Sequence, residues 1–500
     1  MMKGVFLVGA GPGDKDLITV KGAKLLEHAD VIVYDQLVNP SLLEYANESC
    51  ELIYVGKKAG NHTMKQIDIN QLLVELSYKY ACVVRLKGGD PYVFGRGSEE
   101  GLVLFNHQIP FEVIPGITSA IGGLTYAGIP ITSRGVATSF HVYTGHSSNK
   151  STGIDYRQLA KTKGTLVFLM GVGNIRNIVD GLIKHGKNPY TSVAIIHKGT
   201  LPNQKVVMGD LYTIVEISLK EEIKPPSLIV IGEVVKLREQ LNFYEKKPLF
   251  GKSVLVTRSR EKQSKMSEQL TELGALVTQL PAIRTREINF DEMKEAILRI
   301  NEYNGIVFTS GVTVEIFARA MKALKLDGRA LGKCKLLVVG NETKKALESI
   351  NLHPDMIPES YNKEGLSKMI IDSFDKDSSF LVPRSAKGDV EWVADLSKSF
   401  KIQEIHCYDT ELVDELIVDA DVLLNQDYIT FTSSSTVHGF MNQLSKLEVE
   451  MVNEIINNSK IVAIGPTTKE TLNEYDIKVD LMPDTYNITS MIEVILNDNK

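Results

Sequence analysis

The 500-residue sequence predicts an α/β protein, with two successive α/β lobes in its first half and a duplicated pair of α/β lobes in its second. Three observations lead to this prediction. Short apolar strand patterns alternate with helix-period segments, a charged segment broken by Pro and Gly divides the chain near residue 250, and the second half contains an internal repeat. The length also favours several lobes, at roughly 150 residues per domain.

The composition is typical of a folded protein that acts on small molecules. Hydrophobic residues make up 43% of the chain and charged residues 24%, and the net charge of −6 argues against a general nucleic-acid binder. Four scattered cysteines without a C-x-x-C pair predict neither a disulfide framework nor a metal site. The sequence has no signal-peptide core and no run of about 18–20 apolar residues, so we expect a cytoplasmic protein that does not cross a membrane.

The pattern of residues 1–115 predicts that they form the first lobe, a largely parallel sheet with helices on both faces. The strand patterns are rich in β-branched residues, and each is followed by Gly, Asp or Pro and then by a helix-period segment. They are Val5–Val8, Val31–Tyr34, Leu52–Val55, Val83–Leu86 and Phe111–Ile114. Ligands of such sheets bind at the carboxyl ends of the strands.

Residues 116–246 predict the second lobe and complete a first domain, 1–246. Its strand patterns are Phe140–Tyr143, Thr165–Phe168, Val193–Ile196 and Ser227–Ile231. The charged stretch 245–252 contains Pro248 and Gly251, and a new apolar strand begins at Val254. We therefore expect the second domain to occupy residues 251–500.

The second domain repeats itself. The motif Phe308-Thr309-Ser310 recurs 123 residues later as Phe431-Thr432-Ser433, and Val339-Gly340 recurs 125 residues later as Ile464-Gly465. This period is too long for a solenoid and indicates a duplicated lobe with a cleft between the copies. The Ser and Thr hydroxyls after the strands suit carboxylate binding, and helix capping is the alternative role for each of them.

A glycine-rich loop follows the first strand, in the sequence Gly9-Ala10-Gly11-Pro12-Gly13-Asp14. The dinucleotide fingerprint G-x-G-x-x-G is one interpretation, because Asp35 lies about 20 residues later. However, Asp14 occupies the third glycine position and Pro12 lies inside the turn. An NAD-dependent oxidoreductase therefore remains an alternative rather than the favoured hypothesis.

Two more loops carry the stronger signal. Lys87-Gly88-Gly89-Asp90-Pro91-Tyr92-Val93-Phe94-Gly95-Arg96 follows one strand, and Pro115-Gly116-Ile117-Thr118-Ser119 follows the next. Either could be a plain surface loop. Together with Leu169-Met170-Gly171, Lys198-Gly199-Thr200 and Pro226–Gly232, they resemble the tetrapyrrole methylases, and among these the uroporphyrinogen-III C-methyltransferases. The resemblance covers residues 3–245.

The resemblance implies a two-lobed methylase fold and S-adenosylmethionine (SAM) as methyl donor, with no metal. It assigns cofactor contacts to Pro12, Gly88, Gly89, Asp90, Val93, Thr118, Ser119, Met170 and Gly199. It also assigns proton acceptor and donor roles to Asp35 and Lys57. The substrate is a polycarboxylate, and nearby basic residues suit its acidic side chains: Arg85, Lys87, Arg96 and Arg134. Each of these could instead be a solvated surface charge.

The second half resembles the uroporphyrinogen-III synthases over about residues 250–496, through the repeated Thr-Ser motifs, Leu381-Val382-Pro383-Arg384 and Tyr408-Asp409-Thr410. The resemblance implies closure of hydroxymethylbilane with loss of water and inversion of the last ring. Tyr408 matches the tyrosine proposed to help the hydroxyl leave. The residues expected to line the cleft and hold the acidic side chains are Thr309, Ser310, Thr432, Ser433 and Thr467.

The two resemblances support each other, because the product of a synthase is the substrate of such a methyltransferase. We therefore expect a bifunctional enzyme that makes uroporphyrinogen III and methylates it twice to precorrin-2, toward sirohaem or cobalamin. Its partners would be small tetrapyrroles, and the first half could form a homodimer. The alternative for the second half is a tetrapyrrole-binding module without catalytic activity.

Overall fold

The computed structural model describes residues 3–47, 49–56, 64–145, 154–257, 265–360, 362–387, 390–416 and 418–500. The chain divides into two units. The first comprises residues 1–253, 269–276 and 499–500, and the second comprises 254–268 and 277–498.

The first lobe of the first unit is a parallel sheet with the strand order β3-β2-β4-β1-β5. Its strands are β1 (Gly4–Gly9), β2 (Val31–Tyr34), β3 (Glu51–Tyr54), β4 (Cys82–Lys87) and β5 (Phe111–Ile114). Its helices are α1 (Val20–Glu27), α2 (Gln66–Lys79) and α3 (Gly97–Asn106). The parallel order confirms the sheet predicted from the alternating pattern, and every predicted strand is present within one residue at each end.

Strand β1 shows why these short apolar runs become central strands. Val5 and Leu7 pack into one core, whereas Phe6 and Val8 pack into another on the opposite face of the sheet. Side chains alternate across a strand, so a continuous apolar run is needed only where both faces are buried. All four side chains are almost completely buried.

The second lobe begins with α4 (Ser119–Tyr126) and contains a mixed sheet with the order β6-β7-β10-β8-β9. Its strands are β6 (Phe140–Thr144), β7 (Thr165–Leu169), β8 (Ser192–His197), β9 (Lys205–Asp210) and β10 (Ser227–Ile231). Its other helices are α5 (Tyr156–Lys161), α6 (Ile175–Lys184), α7 (Ile214–Lys220) and α8 (Arg238–Leu241). Only β6 and β7 pair in parallel, and β9 is an edge strand that the apolar patterns did not reveal.

The remaining strands are β11 (Ser253–Val256), β12 (Leu276–Gln279), β13 (Ile283–Glu287), β14 (Gly305–Phe308), β15 (Lys335–Val338), β16 (Ser379–Ser385), β17 (Lys401–Leu412), β18 (Tyr428–Phe431) and β19 (Lys460–Ala463). They form two sheets, ordered β12-β11-β18-β19 and β13-β17-β16-β14-β15. The remaining helices are α9 (Lys265–Glu272), α10 (Phe290–Leu298), α11 (Gly311–Ala323), α12 (Asn341–Ser349), α13 (Lys363–Ser373), α14 (Val390–Ser397), α15 (Ala420–Leu423), α16 (Ser434–Leu444), α17 (Val449–Asn458), α18 (Pro466–Glu474) and α19 (Ile488–Asp498).

The internal repeat is visible in both sheets of the second unit. In one, Phe308 at the end of β14 pairs in parallel with Val338 at the end of β15. In the other, Phe431 at the end of β18 pairs in the same way with Ala463 at the end of β19. The repeated Thr-Ser motifs directly follow Phe308 and Phe431, so they occupy equivalent strand ends in the two lobes.

Candidate active sites

Three loops of the first unit meet backbone to backbone at the carboxyl edge of the parallel sheet. Gly11 donates its N–H to the Gly89 carbonyl (3.2 Å), and Gly89 donates to the Gly11 carbonyl (2.7 Å). A Cβ added to Gly116 would lie 2.2 Å from the Gly89 oxygen and 2.7 Å from the Gly9 Cα. Because backbone atoms on both sides would clash, only glycine permits this packing.

Asp90 fastens the second of these loops to the third. Its Oδ1 accepts from the Tyr92 N–H (2.8 Å) and its Oδ2 from the Gly116 N–H (3.0 Å). With the Val93 N–H, which also donates to Oδ1 (3.2 Å), three backbone amides already occupy the carboxylate that the resemblance assigned to the cofactor. Asp90 organises the loops, whatever further contact it makes.

The predicted cofactor residues of the third loop lie at the start of α4. Thr118 is the N-cap, and its hydroxyl accepts from the Ala120 N–H (3.4 Å). Pro12 lies against the first turn of this helix, since a Cβ on Gly122 would come within 2.8 Å of its Cγ. Val93 and Thr118 line a cavity of about 440 Å³, together with side chains that are mostly apolar: Tyr92, Phe94, Ala120, Ile121, Phe140 and Val142.

Met170 and Gly199 come from the second sheet and follow β7 and β8, which flank β10. Leu169 and His197 pair with neighbouring residues at the start of β10, so both loops leave the sheet at the same edge. Met170 has a positive φ of 55°, an uncommon conformation for a residue with a side chain. A Cβ on Gly199 would lie 3.0 Å from the Cα of Gly123 in α4, so this loop also approaches the helix closely.

Asp35 directly follows β2 and is held by two groups of the first lobe. Its Oδ1 accepts from the Leu37 N–H (3.1 Å), and its Oδ2 pairs with Arg85 Nη2 (3.0 Å). The Asp35 side chain is 26% exposed, whereas that of Arg85 is 4% exposed. The loop after Asp35 also meets the glycine loops, because a Cβ on Gly88 would lie 2.6 Å from the Cβ of Leu37.

Arg85 and Lys87 both point into the protein and share one partner. Arg85 Nε lies 3.4 Å and Lys87 Nζ 2.7 Å from Oε1 of the fully buried Glu100. Burial, and then the neighbouring Arg85, lower the pKa of Lys87. This burial weighs against the expectation that Arg85 and Lys87 touch substrate carboxylates directly, since both cations already face carboxylates of this chain.

The other predicted basic residues differ in their surroundings. Arg96 is the N-cap of α3 and forms a bidentate pair with Glu99, at 2.8 and 2.7 Å, on the surface. Arg134 is exposed in a turn closed by Ser133 and Ala137. Lys57 lies outside the described residues. Among the predicted basic residues that the structure describes, Arg96 and Arg134 are therefore the two at the surface.

A polar network that the sequence reasoning missed joins the two lobes of the first unit. The Asp14 N–H donates to Thr200 Oγ1 (3.0 Å), and the Thr200 N–H donates to Gln204 Oε1 (3.0 Å). Gln204 Nε2 donates to Glu245 Oε1 (2.9 Å), whose other oxygen pairs with Arg238 (2.5 Å). The apolar strand patterns do not predict such a network, because its members are single polar residues that lie far apart in the sequence.

The second unit brings Tyr408 and Ser310 together. Their hydroxyl oxygens are 3.4 Å apart, and Thr309 precedes Ser310 at the end of β14. Strand β17 is irregular directly before Tyr408, because Arg384 pairs with His406 whereas Ser385 pairs with Tyr408, which leaves Cys407 as an extra residue. Such bulges are over-represented next to active sites, where they redirect side chains.

Ser310 and Ser433 are helix N-caps in the two lobes of this unit. Ser310 Oγ accepts from the Thr313 N–H of α11, and Ser433 Oγ accepts from the Thr436 N–H of α16, both at 3.4 Å. The capping role considered for these serines is therefore present. Thr432 precedes Ser433, and Thr467 lies in the first turn of α18, where its carbonyl accepts from Ser434 Oγ (3.5 Å).

Metal-binding clusters and membrane-spanning helices are both absent from the described residues. No group of three or more His, Cys, Asp and Glu side chains could hold a metal ion within those residues. Within the same part of the chain, no helix combines the length and the apolar character needed to cross a membrane.

Comparisons with known proteins match a different family to each half of the chain. Residues 4–215 match the family model of the tetrapyrrole (corrin/porphyrin) methylases, and residues 264–493 match that of uroporphyrinogen-III synthase HemD. The porphyrin biosynthesis protein HemD of Ruminiclostridium josui is 37% identical over 498 residues, which cover 98% of this chain and 97% of that protein.

Two further relatives match smaller shares of the chain. The uroporphyrinogen-III C-methyltransferase of Bacillus subtilis (strain 168) is 42% identical over 346 residues, 69% of this chain and 71% of its own. The crystal structure of uroporphyrin-III C-methyltransferase from Thermus thermophilus, complexed with S-adenosylhomocysteine, is 40% identical, covers 47% of this chain and 99% of its own, and gives a TM-score of 0.41. The chain therefore belongs to the family of porphyrin biosynthesis proteins represented by the HemD relative, and it joins a tetrapyrrole methylase of the uroporphyrinogen-III C-methyltransferase type to a uroporphyrinogen-III synthase.

Proposed function

We propose that this chain closes hydroxymethylbilane to uroporphyrinogen III in residues 251–500 and methylates that product twice in residues 1–246 to give precorrin-2. The observation that carries the methylation proposal is the convergence of three glycine loops beside Asp35 at one sheet edge. The pairing of Tyr408 with Ser310 beside an irregular strand supports the cyclisation. The product of the second domain is then the substrate of the first.

SAM is the methyl donor in this proposal, and the loops suit a ligand held mainly by backbone groups. A cavity of about 440 Å³ lies within the range of about 300–1,000 Å³ usual for small-molecule sites. Side chains on Gly9 or Gly116 would fill the space between the loops. The residues that would hold SAM are Pro12, Gly88, Gly89, Asp90, Val93, Thr118, Ser119, Met170 and Gly199. Bound SAM supplies a sulfonium methyl group that a pyrrole carbon can attack.

Asp35 is the proton acceptor in the proposed methylation. A pyrrole carbon that gains a methyl group must lose a proton as the macrocycle rearranges, and a partly exposed carboxylate can take it. The Leu37 N–H and Arg85 fix the direction of the Asp35 carboxylate, so its orientation is set before substrate binds. Lys57 remains the predicted proton donor.

The acidic side chains of the substrate need cations at the surface. We assign them to Arg96 and Arg134, which are accessible, rather than to the buried Arg85 and Lys87. A guanidinium can bind a carboxylate in a bidentate manner, although Arg96 would have to exchange Glu99 for the substrate.

In the proposed cyclisation, Tyr408 Oη donates a proton to the hydroxyl of hydroxymethylbilane. The C–O bond then breaks, water leaves, and the last ring closes in the inverted orientation. The pyrrole carbon attacked in ring closure loses its proton, which returns to the phenolate of Tyr408. Ser310 Oγ, 3.4 Å from the phenol oxygen, can hold the phenolate by a hydrogen bond. The hydroxyls and helix starts at Thr309, Ser310, Thr432, Ser433 and Thr467 would hold the carboxylates of the substrate.

The test supplies the full chain with hydroxymethylbilane, with and without SAM, and identifies the products by chromatography. We expect the type III isomer without SAM and a dimethylated product with it. Formation of the spontaneous type I isomer alone would reduce the second domain to a binding module. Stabilisation of the chain against heat by NAD and not by S-adenosylhomocysteine would favour the oxidoreductase alternative instead.

Three further expectations complete the proposal. The enzyme acts in the cytoplasm, it forms a homodimer through its first half, and its product continues toward sirohaem or cobalamin. Gel filtration with light scattering tests the homodimer, and a monomeric mass at micromolar concentration would reject it.

A further inference from the structure

We propose that Glu100 is a positioning residue for the methylation, and that it holds the Arg85 guanidinium in the orientation that binds Asp35. This inference rests on the proposed role of Asp35 as the proton acceptor. Glu100 is absent from the residues that sequence resemblance singled out, and its side chain is 0% exposed, so it does not touch a substrate.

Glu100 gathers three donors on one carboxylate oxygen. Its Oε1 accepts from Lys87 Nζ (2.7 Å), Gln66 Nε2 (3.1 Å) and Arg85 Nε (3.4 Å). Its other oxygen, Oε2, is buried and has no hydrogen-bond partner among the described residues. Among the described residues, the carboxylate therefore makes its hydrogen bonds through Oε1, the oxygen that faces Arg85 and Lys87.

Arg85 links this buried carboxylate to the one at the sheet edge. Its Nε faces Glu100, its Nη1 donates to the carbonyls of Val33 (3.3 Å) and Leu86 (3.0 Å), and its Nη2 binds Asp35. The guanidinium is planar and its donors have a fixed geometry. Fixing the Nε side against Glu100 thus determines where Nη2 points.

Charge balance gives a second reason for the role of Glu100. Two cations, Arg85 and Lys87, lie beside two carboxylates, Asp35 and Glu100, in a nearly dry part of the lobe. Without Glu100, the two cations would face one carboxylate and repel each other at low dielectric constant. Arg85 would then lose both its acceptor on the Nε side and the counter-charge that holds it in place.

The experiment measures methylation of supplied uroporphyrinogen III by the full chain carrying Glu100→Gln. We expect kcat to fall at least about tenfold, with KM for SAM changed by less than about twofold, because misorientation of the acceptor affects the reaction more than cofactor binding.

A double variant separates positioning from general damage. Lys87→Met combined with Glu100→Gln removes one cation and one carboxylate, which restores the charge balance around Arg85. We expect it to recover about threefold or more of the lost kcat and to remain below wild type, because Arg85 Nε still lacks its acceptor. Glu233→Gln is the matched control, since Glu233 forms a surface pair with Lys236 and is expected to leave kcat unchanged.

The outcomes distinguish this inference from the proposed function. Asp35→Asn at the wild-type rate would remove Asp35 as acceptor, whatever Glu100 does. An impaired Asp35→Asn with wild-type kcat in Glu100→Gln would overturn the positioning role alone. If Glu100→Gln does not fold, the charge-balanced double variant takes its place, and a wild-type kcat in that variant overturns the inference.

Discussion

Tyr408 is the side chain on which the cyclisation proposal depends at the residue scale. The phenol lies 3.4 Å from Ser310 Oγ, in a lobe whose other tyrosines are used differently. Tyr303, for example, is buried and donates to Gln403 Oε1 (2.5 Å). Tyr408 is therefore the proposed acid, and Tyr303 provides a structural tyrosine of the same lobe for comparison.

Replacing Tyr408 by Phe removes the proton that would leave with the hydroxyl. We expect the rate of type III product formation to fall by about 10²-fold or more, which is the usual contribution of a general acid, while methylation of supplied uroporphyrinogen III stays unchanged. Both rates are measured on the full chain. Tyr303→Phe is the control, and an equal loss in both variants would assign the effect to structure.

The different burial of the four cysteines predicts the order in which their thiols react. Burial raises the pKa of Cys82 to about 11 and those of Cys334 and Cys407 to about 12, whereas Cys50 is only half-buried. Since the thiolate is the reactive form, Cys50 should react first with a thiol reagent at pH 8, and the other three only after unfolding. Four equally fast cysteines in the native protein would contradict the burial.

The same thiols link stability to high pH. Their folded pKa lies above the value of 9.0 expected in the unfolded chain, so the unfolded state releases protons first. Their contribution is complete below about pH 9 and is lost as the pH rises toward 12. Denaturant unfolding at pH 8 and pH 10 measures this loss.

Close backbone contact is the main feature at the scale of elements. The loops after β1, β4 and β5 come from strands that are neighbours in the sheet, so their carboxyl ends lie at one edge. Side chains would not fit at Gly9 or Gly116, because a Cβ on Gly9 would lie 2.5 Å from the Gly116 Cα and one on Gly116 would lie 2.2 Å from the Gly89 oxygen. The sheet order therefore brings together the loops of the proposed cofactor site, and glycine makes their close approach possible.

Gly116→Ala tests this packing. The added methyl would meet the Gly89 oxygen at 2.2 Å, so the two loops must separate. We expect the dissociation constant for S-adenosylhomocysteine, measured by calorimetry, to rise about tenfold or more, which corresponds to about 1.4 kcal/mol. Gly173→Ala is the matched control, because a Cβ there meets nothing within 4 Å. Equal dissociation constants in the two variants would show that the loop contact does not contribute to cofactor binding.

The whole molecule combines two reactions that share one compound. Its net charge of −6 is a poor guide to the ligand, because both proposed substrates are polycarboxylates and must bind at local cations and helix starts. Within the first unit, the network from Asp14 to Arg238 connects the loop after β1 to α8. The cofactor loops of the two lobes are thereby held to each other.

Arg238→Met breaks this connection at its far end. Arg238 is buried, so its loss leaves the Glu245 carboxylate largely uncompensated, at a typical cost of about 3–5 kcal/mol. We expect the melting temperature of the first unit to fall by about 10 °C, and S-adenosylhomocysteine to bind more weakly. Lys236→Met removes a surface cation from the preceding turn and serves as control. A melting temperature equal to that control would contradict the role of the network.

The sequence by itself determined the α/β class, the parallel first sheet, the duplicated second half and the loops that contain glycine. These follow from local patterns, because a buried strand needs a continuous apolar run and a close backbone approach needs glycine. The tertiary structure alone decided which polar residues meet. In the sequence, Arg85 and Lys87 look like cations that could bind a substrate, but the fold buries both against Glu100. Asp35 likewise binds the guanidinium of Arg85, which is 50 residues away in the chain. The charge and burial of a polar side chain depend on its neighbours in space, and residues far apart in the chain supply those neighbours.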